Sequence, residues 1–135
     1  MFIKNLFIVL SVLIIAACEP PKVPSDHLTV KNGITYIHLD KPFTGISYSK
    51  WRNGNQRRLI TYEKGLRHGL YEAYFKDGQL NVKSTYQKGK LAGRYEGYYE
   101  NGQLNVKSNY QKGKLVGRYE EYYEKGSLKI SFSFL

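Results

Sequence analysis

Residues 69–92 read GLYEAYFKDGQLNVKSTYQKGKLA and residues 93–116 read GRYEGYYENGQLNVKSNYQKGKLV, agreeing at 17 of 24 positions. The period extends outward, since Gly45, Gly69, Gly93 and Gly117 stand 24 residues apart, as do Leu80, Leu104 and Leu128. A period of this length marks an array of supersecondary units that bury their apolar sides against one another. The copy at Gly45 is divergent, with Ser47 where later copies carry tyrosine and Gln56 where they carry leucine. Residues 30–44 look like half a unit with an altered turn around Asp40, Lys41 and Pro42.

Two turn signals punctuate each copy. The early one is Asn53-Gly54, Asp77-Gly78, Asn101-Gly102 and Lys125-Gly126; the later one is Lys64-Gly65, Lys88-Gly89 and Lys112-Gly113. Read as two-residue hairpin turns, whose central residues take positive φ, they predict that Phe75 pairs with Leu80, Ala73 with Val82 and Tyr71 with Ser84. Strand alternation then puts Tyr71, Ala73, Phe75, Leu80, Val82 and Ser84 on one face and Glu72, Tyr74, Lys83 and their like on the other. The expected fold is all-β, an elongated and curled antiparallel meander of successive hairpins, with the glycine column leaving room for aromatics or letting the sheet bend. Glu72 should oppose Lys83 and Glu96 oppose Lys107. Leu128, Ile130, Phe132 and Phe134 give the last strand a greasier inner side, read as a closing cap.

The whole chain has 135 residues, 21 Lys plus Arg against 11 Asp plus Glu, 13 Tyr, 13 Gly and one Cys. One domain is the most this length holds. A lone cysteine excludes an internal disulfide framework and a cysteine-cluster metal site, and no apolar run reaches the ~20 residues of a membrane span. Residues 1–17 read as a secretion signal, with Lys4 before a ten-residue apolar run broken only by Ser11. Ile15, Ala16, Ala17 and Cys18 resemble the bacterial lipobox, which implies lipidation at Cys18 and anchoring by two or three acyl chains. Residues 18–29, with Pro20, Pro21 and Pro24, are expected to form an extended tether. The repeat domain occupies residues 30–135. These features place the protein at a bacterial cell envelope, with the membrane that receives the anchor, inner or outer, left open.

The unit from Gly93-Arg94-Tyr95-Glu96-Gly97-Tyr98-Tyr99 through Asn101-Gly102-Gln103-Leu104 to Tyr110-Gln111-Lys112-Gly113 resembles the bacterial MORN-variant repeat family over about residues 30–135. The resemblance implies sheets of successive hairpins, no catalytic residues, and roles in protein or membrane contact. Many members are lipoproteins or are labelled antitoxin components of the YwqK-like type, so neutralisation of an exported toxin is an alternative.

The residues themselves offer little chemistry. His27, His38 and His68 form no HxH or HxxxH metal spacing. Glu120 and Glu121 are adjacent and project to opposite faces, unsuited to paired-carboxylate work. Glu121 falls on the apolar face, either solvated near an open end or in a specific polar contact. No catalytic set, metal or cofactor is expected. The recurring aromatic side, Tyr71, Phe75, Tyr95, Tyr99, Tyr119 and Tyr123, is the candidate binding face, because a single layer must be covered by curling, by a second copy or by a protein partner. Lys64, Lys88 and Lys112, with Lys90 and Lys114 two residues beyond the last two, form a candidate rim for anionic lipid or wall polymer, unless they serve only to solubilise the turns. Nucleic acid is not expected for an exported, lipid-anchored chain.

Overall fold

The computed structural model describes residues 19–38 and 40–134; the signal segment and Cys18 lie outside the described residues. The meander is present. Strands β5 (Gly45–Lys50), β6 (Gln56–Glu63), β7 (Leu66–Tyr74), β8 (Leu80–Gln87), β9 (Lys90–Tyr98), β10 (Leu104–Gln111), β11 (Lys114–Tyr122) and β12 (Leu128–Phe134) pair in sequence order as one antiparallel sheet. Strand β1 (Lys22–Pro24) adds in parallel to β5, and Pro21 accepts the Ile46 N–H at 2.8 Å. The proline-rich stretch is therefore docked on the sheet over these residues instead of hanging free along its length, because a proline carbonyl still accepts although its nitrogen cannot donate.

The Lys-Gly turns have the expected form. Lys64, Lys88 and Lys112 take φ of 49°, 48° and 52°, each followed by a left-handed glycine, and Glu63 pairs with Leu66 directly across. The early turns differ from the expectation. Only their glycines are left-handed, and Gly78 donates to the Phe75 carbonyl while Phe75 donates to that of Gln79. This is a type I turn closed by a left-handed glycine, a longer loop than the two-residue form. Asp77 Oδ1 accepts from the Gln79 N–H at 2.9 Å, and Asn101 does the same for Gln103. The short acceptor side chain stabilises the turn through its own backbone. In consequence Leu80 pairs with Tyr74, not Phe75, and the register shift before Val82 restores the expected Ala73–Val82 and Tyr71–Ser84 pairs.

Each glycine of the 24-residue column beyond Gly45 marks an irregularity. Val82 to Ser84 pair with Gly97 to Tyr95, but Tyr86 pairs with Leu91, so residues 92–94 together oppose Thr85. Gly93 sits in the middle at φ 84°, and Gly69 and Gly117 take φ 97° and 63° in equivalent bulges. An excess of two residues bends the strand yet keeps its facing parity, so the apolar face survives.

Residues 30–44 do not form half a unit. Strands β2 (Leu28–Lys31), β3 (Ile34–Ile37) and β4 (Lys41–Pro42) make a separate three-stranded sheet, with a left-handed Asn32-Gly33 turn between β2 and β3. Two backbone bonds join this segment to the array, Thr35 N–H to Gly65 O at 2.9 Å and Gly65 N–H to Phe43 O at 2.8 Å, while Phe43 N–H to Thr35 O at 2.9 Å closes the segment on itself. Phe43, buried at this junction, packs its ring 5.8 Å from that of Tyr62. At the other end, among the described residues, β12 pairs only with β11, and Leu128, Ile130, Phe132 and Phe134 remain 44–50% exposed. It is an open outer strand, not the closing cap expected.

Candidate functional site

Across the long sheet one row runs Ser47, Ile60, Tyr71, Ser84, Tyr95 and Ser108; beyond it Ser108 faces the bulge of residues 117–119, whose Tyr119 pairs with Phe132. Ser84 and Ser108 are 2% and 1% exposed, and among the described residues neither hydroxyl has a hydrogen-bond partner. Their small size explains them: Ser84 pairs with Tyr71 and Tyr95, and Ser108 with Tyr95, so a larger residue would displace those neighbours. Tyr71 and Tyr95 then pack against Tyr86 and Tyr110, at centroid distances of 5.9 and 6.1 Å, and Tyr119 stacks on Phe132 at 4.8 Å.

Phe75, Tyr99 and Tyr123 stand instead at the first position of the early turns. Tyr99 donates its hydroxyl to Tyr122 O at 2.8 Å, and Trp51, in the same column, donates its indole N–H to Tyr74 O at 3.0 Å. Asn53 and Asn101 add amide bonds to Lys76 O and Glu124 O. These side chains tie the turns at Gly54 and Gly102 to the repeat that follows each. Of the six candidate aromatics, Tyr123 alone is exposed, at 49%. Glu121 Oε1 accepts from Lys129 Nζ at 2.6 Å, and that ammonium lies 5.8 Å from the Tyr123 ring.

The opposite face carries a carboxylate row. Tyr74 donates to Glu72 Oε2 at 2.7 Å and Tyr98 to Glu96 Oε2 at 3.1 Å. Glu72 pairs with Lys83 at 3.2 Å, as the register required, but the Glu96 carboxylate meets Arg94, from the glycine bulge, at 3.1 Å; Lys107 only faces it across the ladder. Burial, then the hydrogen bond to Glu72, pushes the Tyr74 phenol up to about 12, and Tyr98 is raised for the same reasons beside Glu96. The unfolded chain loses these protons near pH 10, whereas the folded chain keeps them. The stability that Tyr74 contributes is complete below about pH 10 and is lost as pH rises toward about 12, and Tyr98 acts in the same direction. Urea midpoints should therefore fall across that window, and Tyr74→Phe should flatten the fall; equal curves would refute the assignment.

The candidate lysines lie along one rim, where Gly89 and Gly113 donate to Arg67 O and Leu91 O at 2.8 Å and so stack successive turns. Lys88, Lys90 and Lys112 line a hollow of about 530 Å³. Lys64 and Lys114 lie outside it, and among the described residues none of the five ammoniums is in an ion pair. His68 Nδ1 is 3.2 Å from Glu63, and among the described residues no three metal-ligating side chains cluster.

Two residues escaped the reading of the sequence. Arg58 stands in the column of Val82, Val106 and Ile130, and Arg67 in that of Leu91 and Leu115. Both line a cleft between the small sheet and β5–β7. Departure from their columns was the available signal.

No curated protein and no solved structure matches the chain. The family model described as MORN repeat variant matches residues 67–88, 91–112 and 115–135. Those stretches follow the hairpins β7–β8, β9–β10 and β11–β12, so the chain carries three consecutive MORN-variant repeats.

Proposed function

We propose that the chain is a lipid-anchored, non-enzymatic binding module of a bacterial cell envelope, which holds a protein partner at the C-terminal end of its long sheet. The observation that carries this is the exposure of Leu128, Ile130, Phe132 and Phe134 in a row on an outer strand, next to exposed Tyr123. Unpaired strand edges and contiguous apolar patches both favour association. A photo-cross-linking residue at Ile130 should trap one defined protein in intact cells, and Phe132→Ser should abolish the adduct. A monomer that forms no adduct at this strand would contradict the reading. Anchoring rests on the lipobox-like Ile15-Ala16-Ala17-Cys18, and Cys18→Ser should move the protein from the membrane fraction to the soluble one.

A second reading, contact of the lysine rim with anionic lipid or wall polymer, is favoured by the turns themselves. A left-handed lysine costs about 1–2 kcal/mol relative to its relaxed conformation, a cost that asparagine largely avoids. The small sheet uses Asn32-Gly33, yet the array uses Lys-Gly three times. Lys88→Asn should stabilise the fold by about 0.5–1 kcal/mol while weakening adsorption to anionic vesicles at low salt. Adsorption indifferent to both salt and this change would rule out the rim.

A further inference from the structure

The first repeat departs from the others where the small sheet lies over it. Arg58 and Arg67 put two guanidinium groups on a face whose equivalent positions are valine, isoleucine and leucine. The cleft there consists of two hollows, about 220 and 260 Å³, which share Val30, Thr35, Tyr62 and Arg67. Each is smaller than the ~300–1,000 Å³ usual for small-molecule pockets, which restricts any occupant to a few heavy atoms.

Arg67 is held in place. Its guanidinium carbon lies 5.7 Å from the Tyr71 centroid and 5.4 Å from that of Tyr86. Burial acts to lower its pKa, but the Tyr62 and Tyr86 phenols outweigh that and keep it charged. Among the described residues neither arginine forms an ion pair, and no carboxylate lines either hollow. Both arginines remain exposed, so solutes can reach them. The rest of the larger lining supplies hydroxyls from Thr35, Ser47 and Ser49 and an apolar wall of Leu28, Val30 and Ile60.

A site with donors, cations and an apolar wall but no acid selects an anion and rejects an amine. The planar guanidinium fork fits a carboxylate in bidentate fashion. A volume of 220 Å³ corresponds to about seven waters of liquid, room for a small molecule only. We propose that this cleft binds a small monocarboxylate with a short apolar group, its carboxylate on Arg58 and Arg67 and its tail against Leu28, Val30 and Ile60.

Calorimetric titration of the purified full chain with isovalerate, acetate and inorganic phosphate tests this. Isovalerate should bind saturably at one site, with acetate weaker for want of a tail and phosphate weaker still. Arg67→Leu and Arg58→Val install the residues the array itself uses at these positions, so both should fold, and each should weaken isovalerate binding at least about tenfold. If Arg67→Leu does not fold, Arg58→Val decides alone. Absence of saturable binding, phosphate binding as tightly as isovalerate, or undiminished binding by the folded variants would overturn the proposal.

Discussion

Gly65→Ala is expected to cost roughly 3 kcal/mol of stability, against about 1 kcal/mol for Gly113→Ala, in urea unfolding of the two variants. The two glycines have nearly the same backbone, φ 79° and 81°; Gly113 donates its N–H to Leu91 O of the preceding repeat and Gly65 to Phe43 O beside the small sheet. Their surroundings differ. At Gly113 a Cβ would touch only the flexible Lys90 side chain, at 3.7 Å. At Gly65 it would collide with Ile34 Cγ2 and come within 2.8 Å of the Thr35 carbonyl, at the bonds that seat the small sheet. The difference between the variants thus measures the docking of that sheet. Amide exchange should quicken across β2 and β3 in Gly65→Ala and stay unchanged there in Gly113→Ala. Equal losses would mean that the small sheet is not held at this point.

Ser108→Phe should be as damaging, about 3 kcal/mol, at the upper end of what overpacking costs. The site is 1% exposed, with Tyr95 paired on one side and the bulge of residues 117–119 on the other, so a ring enters only if these neighbours are displaced. The array tolerates a large residue in this column only where space allows: Ile60 faces Ser47, and Phe132 lies on the outer strand. Ser108→Ala should be neutral or slightly stabilising, because the serine hydroxyl has no partner to lose. Thermal unfolding of both variants checks the pair. If alanine proved as harmful as phenylalanine, the size argument would fail.

What the sequence disclosed follows from where each structural demand is encoded. The Lys-Gly turns and the period were legible because φ at Gly89 or Gly113 is a local matter that one dipeptide expresses. The bulges at Gly69, Gly93 and Gly117 were hidden, because an excess of two residues leaves face alternation intact while moving the partner of Tyr95 to Ser84. The early turns misled in the opposite way: their extra residue and the irregularity after Leu80 cancel, so Tyr71–Ser84 came out correctly despite a wrong loop. Asn32-Gly33 was a strong hairpin signal, passed over because residues 30–44 were aligned to the repeat. Docking of that sheet joins Thr35 to Gly65, 30 positions away, and leaves no local trace. At the binding face, Phe75 and Tyr99 proved to be turn residues, while four exposed apolar groups follow one another on β12.

The account depends on serine and tyrosine alternating along one row, with each glycine bulge setting their register. Cross-strand backbone NOEs in a labelled sample test this directly. Ser84 should show contacts to both Tyr71 and Tyr95, and Ser108 to Tyr95. Contacts placing Val82 opposite Tyr95 would mean that the turn register runs unbroken through Gly93, and would contradict the fold described.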